Sequence, residues 1–300
     1  MATTIDAAFT GDIVSQSALR GFNDTLLPLE VFATDYGGEL TQGNTTVNVP
    51  VYDANSGADT YAGSYITGAG GSVSNIPVVV DVHKKKTASF TDTQFANTFP
   101  SAIKSEEFGY QMGAGLAANV LADILSLVTA ANFGAAAYTD VVANFDSDDV
   151  VDIKTVCDAA NMTKVMRGLV LNDSYYNALL KDTSIKDASS YGSSDGIVAG
   201  FIPNVAGFKT WQTGGVPANA ENLVGFACIK SAIAVAMRYL QPQRPESYDA
   251  ANELSDPETG IVLGWRDHFD PNTGTRYMNL ECNYGKAVGQ AAGLKRIVSA

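Results

Sequence analysis

Two alternating stretches separated by a long run of small residues constrain this chain most. Val47, Val49 and Val51 alternate with Asn48, Pro50 and Tyr52, and Ile76, Val78, Val80 and Val82 alternate with Pro77, Val79, Asp81 and His83, the period of half-buried strands. Residues 53–75 between them are almost all Gly, Ala, Ser, Thr, Asp and Tyr. A structureless connection of that length in a compact domain is as a rule functional or disordered, and a lone two-stranded hairpin is marginal in water. Residues 45–95 therefore read as a projecting arm whose missing contacts come from another chain. An arm that needs a neighbour points to assembly.

The rest of the chain can support a large core, with 46% apolar residues among 300. Its 19 basic and 32 acidic residues give a net charge of -13, which repels nucleic-acid phosphates and anionic lipid. Cys157, Cys228 and Cys282 are odd in number and far apart, without metal-ligand spacing, so they read as buried free thiols. Residues 1–10 lack a basic region followed by an apolar core, the pattern of a secretory signal, so synthesis in a reducing cytoplasm is expected. The most membrane-like stretch, residues 113–131, carries Asp123 near its middle, which costs about 2.5 to 3.5 kcal/mol on insertion scales. No membrane association is expected.

Along the chain, residues 12–22 form a short helical pattern with Ile13, Val14, Leu19 and Phe22 on one face, followed by Leu26, Leu27 and Leu29, as in a docked terminal arm. After Pro100 comes the longest helical pattern, residues 101–130, with Phe108, Met112, Leu116, Val120, Ile124 and Val128 four apart. Gly109, Gly113 and Gly115 each cost such a helix about 1 kcal/mol, so they imply either close packing of another backbone or a kink. An α/β alternation follows: a helix over 147–161, a strand over 168–171, a helix over 173–180 capped by Asn172 or Asp173, and strands near 208–211 and 223–228. A polar loop over 184–196 interrupts this series, and residues 229–239 fit helix and strand equally well. Ile261, Leu263 and Trp265 alternate into a turn at Asp270-Pro271-Asn272-Thr273-Gly274, residues 277–284 return as a partner strand, and a last strand over 294–298 is placed beside them.

Chemistry is sparse. His83 and His268 are the only imidazoles, and neither has a nucleophile at motif spacing, so both read as structural. Gly68-Ala69-Gly70-Gly71-Ser72 lacks the Lys-Ser/Thr of a phosphate loop. Asp270-x-Asn272-x-Gly274 with Glu281 partly mimics a calcium loop, but Thr275 occupies the position that needs glycine and the flanks alternate as strands, so it reads as a hairpin turn. The acidic group Asp146, Asp148, Asp149 and Asp152 reads as a solvated face. Lys84-Lys85-Lys86 is the one basic run in an acidic chain; it salt-bridges or solvates the arm, or meets an acidic patch on a neighbouring subunit. No catalytic residue, cofactor or metal site is assigned.

The order of parts, carried by Gly43-Asn44-Thr45-Thr46-Val47-Asn48-Val49-Pro50-Val51, Gly168-Leu169-Val170-Leu171-Asn172-Asp173-Ser174-Tyr175-Tyr176, Ile202-Pro203-Asn204-Val205-Ala206-Gly207-Phe208 and the stretch from Phe269-Asp270-Pro271 to Tyr284-Gly285, resembles the major capsid proteins of tailed double-stranded DNA phages. The resemblance covers nearly the whole chain and implies an α+β fold of the Hong Kong 97 type: an N-terminal arm (1–44), an extended β-hairpin loop (45–96), a peripheral domain with a long spine helix (97–140), a central α/β axial domain (141–241) and a C-terminal β-structure returning to the peripheral domain (242–300). It further implies self-assembly into the pentamers and hexamers of an icosahedral head that encloses DNA without sequence-specific binding, made in the host cytoplasm and located in the virion. Scaffolding, portal and decoration proteins are the further partners it suggests. The chain has no long charged helical segment ahead of residue 10, which points to a separate scaffolding protein or none. Intersubunit contact is expected at Tyr61, Tyr65, Gly68, Gly70 and Gly71 of the arm and at Lys84, Lys85 and Lys86. An acidic lining would avoid trapping DNA by counterion release. Two other readings compete: a bacterial nanocompartment shell of the same fold, and a soluble α/β enzyme using the Asp146–Asp152 carboxylates with His268.

Overall fold

The computed structural model describes residues 7–26, 33–35, 45–52, 61, 63, 73–98, 102–186, 200, 202, 204–256 and 259–300. Its N-terminal part contributes α1 (Ala7–Leu26), β1 (Ala33–Asp35), β2 (Thr46–Tyr52), β3 (Val73–Val79), β4 (Val82–Thr91), α2 (Asp92–Thr98) and α3 (Ala102–Leu125). The middle runs through α4 (Ala130–Phe133), β5 (Tyr138–Asp140), α5 (Ser147–Ala159), β6 (Arg167–Leu171), α6 (Asp173–Lys181), α7 (Thr183–Lys186), β7 (Asn204–Val205), β8 (Phe208–Gln212) and β9 (Leu223–Cys228). The chain closes with β10 (Ile233–Arg238), β11 (Ala250–Ser255), β12 (Val262–Asp270), β13 (Thr275–Val288) and β14 (Leu294–Ser299). Leu27 and Leu29, the arm tip apart from residues 61 and 63, and residues 187–196 of the polar loop lie outside the described residues.

Helix α3 realises the expected stripe, with Met112, Leu116, Val120 and Ile124 buried along one face. Its glycines resolve toward close packing. A Cβ on Gly109 would collide with the Val14 carbonyl, one on Gly113 with the Ala18 carbonyl, and one on Gly21 of α1 with the Tyr110 carbonyl. The two helices thus meet backbone to backbone, and α1 buries Val14, Ala18, Phe22 and Leu26 at four-residue spacing. The spine ends at Leu125, short of the expected residue 130, because Asn219 intrudes: its amide donates to the carbonyls of Leu125 (3.1 Å) and Val128 (2.8 Å), satisfying acceptors that a continuing helix would use itself.

Two six-stranded sheets flank this spine. The first has the order β1-β10-β13-β12-β11, with β4 also paired to β13; the second has the order β5-β14-β9-β6-β8-β7. Trp265, Met278, Leu280 and Tyr284 of the first sheet and Val170, Phe226, Cys228 and Leu294 of the second join Leu121 and Ile124 of α3 in one cluster. On its other face the second sheet builds a separate core with α5 and α6, from Val150, Ile153, Leu169, Tyr176, Leu179 and Phe208.

Three expectations about order change. Residues 82–91, read as the second half of the arm, form β4 and pair antiparallel along β13 from Thr91↔Thr275 to Val82↔Tyr284; alternation identifies a strand but not its partner. The ambiguous segment 229–239 contains β10, which joins the first sheet between β1 and β13 and so leaves the expected axial segment 141–241. The last strand, β14, lies not beside the terminal hairpin but in the second sheet between β9 and β5. Only β11, β12 and β13 of the 242–300 segment return to the spine-bearing sheet.

Candidate intersubunit surfaces

The arm has a seat on the body. Strands β2 and β3 pair with Val47 opposite Val78 and Val49 opposite Ile76. Val47, Val49, Val78 and Val80 are buried against Ala234 and Ala236 of β10, with Ala287 of β13 alongside. Small side chains make that platform flat, and Gly285 lets the Val79 backbone approach, since a Cβ there would strike the Val79 carbonyl. Pro50 in β2 and Pro77 in β3 each remove a ladder donor, which blunts the hairpin for unplanned strand addition. Beyond the seat, Tyr61 is 61% exposed. Tyr65, Gly68, Gly70 and Gly71 lie outside the described residues.

The lysine run divides by strand alternation. Lys84 Nζ donates to the Asn119 carbonyl of α3 at 2.8 Å. Lys86 Nζ lies over Gly115, where a Cβ would collide with it. Lys85 points the other way, in register with Glu281, and is exposed. Lys84 therefore fastens β4 to the spine helix of its own chain and Lys86 lies along the same helix, whereas Lys85 points to the opposite face; Lys85 and Lys86 are both exposed. Nearby, Asp123 of α3 accepts from Tyr284 (2.7 Å) and pairs with Lys286 (2.9 Å). Burial works to raise the Asp123 carboxyl, but the hydrogen bonds from Lys286 and Tyr284 and the charges of Lys286 and Lys84 hold it below the usual carboxylate range.

The two histidines are absorbed into the first sheet. His83 Nε2 lies 2.9 Å from Glu281 Oε2, and the other carboxylate oxygen of buried Glu281 is 2.5 Å from Arg266 Nε. His268 stacks on Tyr277 with ring centroids 5.1 Å apart and meets the Tyr248 edge at 5.7 Å. An open cleft with a cavity volume of about 730 Å³ is lined by Asp12, Asp92, Tyr248, Asp249 and Arg276. On its wall, buried Asp267 is already neutralised by an ion pair with Arg276, whose guanidinium also lies over Phe95.

Two members of the acidic group form a helix cap, while Asp148 and Asp152 are exposed, as a solvated face would be. The Asp146 side chain accepts from the Asp148 and Asp149 amides while Asp149 reaches back to the Asp146 amide, a capping box. Asp182 completes it by accepting from the Ser147 amide at 2.9 Å. Burial raises the Asp182 carboxyl, yet hydrogen bonds from Ser147 and Ser184 bring it down to about 2. These carboxylates belong to the second sheet's helical layer and His268 to the first sheet, so the constellation an enzyme reading needs is divided between two elements of different sheets. Asp270 likewise serves a turn, accepting from the Asn272 amide at 3.0 Å and the Thr273 hydroxyl at 2.9 Å, with Gly274 at φ 59° closing the hairpin. Burial pushes the Cys157 and Cys228 thiols up, Cys228 strongly, which suits inert core residues.

One surface escaped the sequence reading: the tight turn between α5 and β6, where Val165 and Met166 stand in solvent. Two adjacent apolar residues between a helix and a strand are the available signal.

Neither a protein-family model nor a curated protein sequence matches the chain. Solved structures do. A structure from Mycobacterium phage Che8 is 18% identical with a TM-score of 0.54, covering 88% of each chain. The capsid structure of the cyanophage P-SCSP1u is 13% identical with a TM-score of 0.56, covering 90% of this chain and 86% of that one. A virus-like particle from Pyrococcus furiosus is 12% identical with a TM-score of 0.52, covering 95% and 98%. The likeness establishes the fold: the chain has the Hong Kong 97-type architecture of tailed-phage capsid proteins, with a long spine helix and a mixed α+β body.

Proposed function

We propose that this chain is the major capsid protein of a tailed double-stranded DNA phage, a structural subunit that assembles into the pentamers and hexamers of an icosahedral head. The observation that carries the proposal is the end-to-end likeness to capsid structures, about nine-tenths of both partners in each pair. The arm supports it, because the β2–β3 hairpin rests on the body through four valines against a flat alanine platform, and Tyr61 beyond it is exposed. On this reading residues 45–81 reach the adjacent subunit through Tyr61 and the stretch containing Tyr65, Gly68, Gly70 and Gly71, and Lys85 faces outward beside them. The protein is made in the host cytoplasm and ends in the virion, where scaffolding, portal and decoration proteins are its further partners. It encloses DNA without reading sequence, and a subunit of net charge -13 repels the phosphates of the polymer.

Negative-stain electron microscopy of the purified protein tests this directly. Closed shells or capsomers are expected; a monodisperse compact monomer under all assembly conditions would sink the proposal. The virus-like particle from Pyrococcus furiosus, matched at nearly full length, gives a nanocompartment shell a specific footing as the second reading. Co-purification of a cargo enzyme without packaged DNA would select it over the phage head.

A further inference from the structure

Among the described residues, eight large apolar side chains stand in solvent, and five of them, Val141, Val142, Val151, Val165 and Met166, fall within residues 141–166. They form two groups at opposite ends of α5. Val141 and Val142 precede its capping box and Val151 lies in its first turns, whereas Val165 and Met166 follow its C-terminus. The helix has 13 residues, about 20 Å, so one group cannot cover the other within the same chain.

The C-terminal group is held rigid. Buried Arg167 donates from Nε to the Thr163 carbonyl (2.8 Å), from Nη2 to the Met162 carbonyl (2.6 Å) and from Nη1 to Asp158 Oδ1 (2.7 Å). Met166 sits at φ 59°, a left-handed conformation that a long side chain adopts only when its surroundings impose it. The result is a fixed tip that carries Val165 70% exposed and Met166 76% exposed. A flexible linker would need none of this.

Charge differs between the two ends in a complementary way. Lys164 is exposed beside the tip, while at the other end Asp146 and Asp149 are consumed in the cap and leave Asp148 and Asp152 exposed around Val151. One chain thus carries a basic-apolar tip and an acidic-apolar surface that do not meet. Two different, complementary patches on a single chain are the requirement for a head-to-tail contact, which closes into a ring when the rotation allows.

We propose that the Lys164–Met166 tip of one subunit docks on the Val141, Val142 and Val151 surface, between Asp148 and Asp152, of a second copy next to it around a capsomer ring. The contact rests on the shell reading and adds to it the surfaces that join neighbours through the second sheet's layer, separate from the arm.

Charge reversal and rescue test the contact in the full-length chain. Met166→Glu sets a carboxylate against Asp148 and Asp152 and is expected to lower the yield of capsomers and shells at least tenfold by sedimentation and microscopy. Because Met166 is largely exposed, its thermal midpoint and circular dichroism should match the parent, which separates lost assembly from lost folding. Val151→Lys faces Lys164 and should fail similarly, and the double variant Met166→Glu with Val151→Lys should recover at least half the parental yield. If the parent assembles and Met166→Glu assembles equally well, the tip is not a contact and the inference is overturned. Loss without recovery in the double variant overturns the assigned acceptor. A parent that forms no ring or shell removes the shell reading itself, a separate failure visible before any variant is made.

Discussion

Small residues line two contacts in this molecule, the seam between α1 and α3 and the seat of the β2–β3 arm. In the seam, Gly21, Gly109 and Gly113 let two long helices touch along their backbones, with Phe22, Leu26, Met112 and Leu116 packed around the crossing. In the seat, Ala234, Ala236, Gly285 and Ala287 offer a shallow plane to four valines. Large side chains surround the seam, whereas the cluster at the seat holds only valine and alanine and so buries less apolar area. The same residue type therefore builds a permanent joint where large neighbours surround it and an adjustable bearing where they do not.

The largest expected effect separates the two contacts by function. Deleting residues 59–71 from the arm should abolish shell assembly, while the urea unfolding midpoint of the remaining protein moves by less than the equivalent of about 0.5 kcal/mol. Normal shells from the deletion would remove the arm's role. Next comes Gly113→Val, which drives a branched side chain into the Ala18 carbonyl and should destabilise the whole protein by about 3 kcal/mol in urea titration.

Gly285→Val makes the matching insult at the seat, against the Val79 carbonyl, and should cost about 1 to 2 kcal/mol. Hydrogen exchange should then show the Val47 and Val49 amides losing protection while those of α3 keep theirs. Equal loss in both places would mean that joint and bearing are one cooperative unit, and the contrast would fail.

The smallest effect is electrostatic and lies outside both contacts. A carboxyl held below its ordinary pKa stabilises the fold above the unfolded value and loses that contribution as pH falls through the folded one. For Asp182 the window runs from the ordinary 3.8 down to about 2. Asp182→Asn should cost about 1 kcal/mol at neutral pH, as loss of a helix cap does. It should also flatten acid unfolding across that window, measured by circular dichroism, and an unchanged acid profile would show that the cap does not carry the stability.

Local pattern made much of the molecule readable in advance. The glycines of α3 signalled a close backbone or a kink, and Gly109 and Gly113 meet a backbone; Asn172 caps α6 by accepting from the Tyr175 amide, and the Asp270 turn joins the two strands expected around it. Partner choice was not readable. β4 alternates like the arm strands but its hydrogen bonds go to β13, and nothing in residues 82–91 specifies that edge. β10 is buried from Ile233 to Met237 on both faces, so its apolar run carries no period to separate strand from helix. The surfaces were harder still: Lys84, Lys85 and Lys86 form one run in sequence, yet the pleat turns two of them toward the spine and one to the opposite face. The tip at Met166 depends on Arg167 folding back onto the turn before it, a tertiary event that residue spacing does not encode.

The placement of β13 and β14 bears on when this protein becomes competent to associate. β13 is the strand to which β4, β10 and β12 all pair, and β14 fills the gap between β5 and β9 in the other sheet. Each lies C-terminal to every one of those partners, so neither sheet closes before these strands have been made, and a partly made chain lacks its seat for the arm and its framework behind the tip.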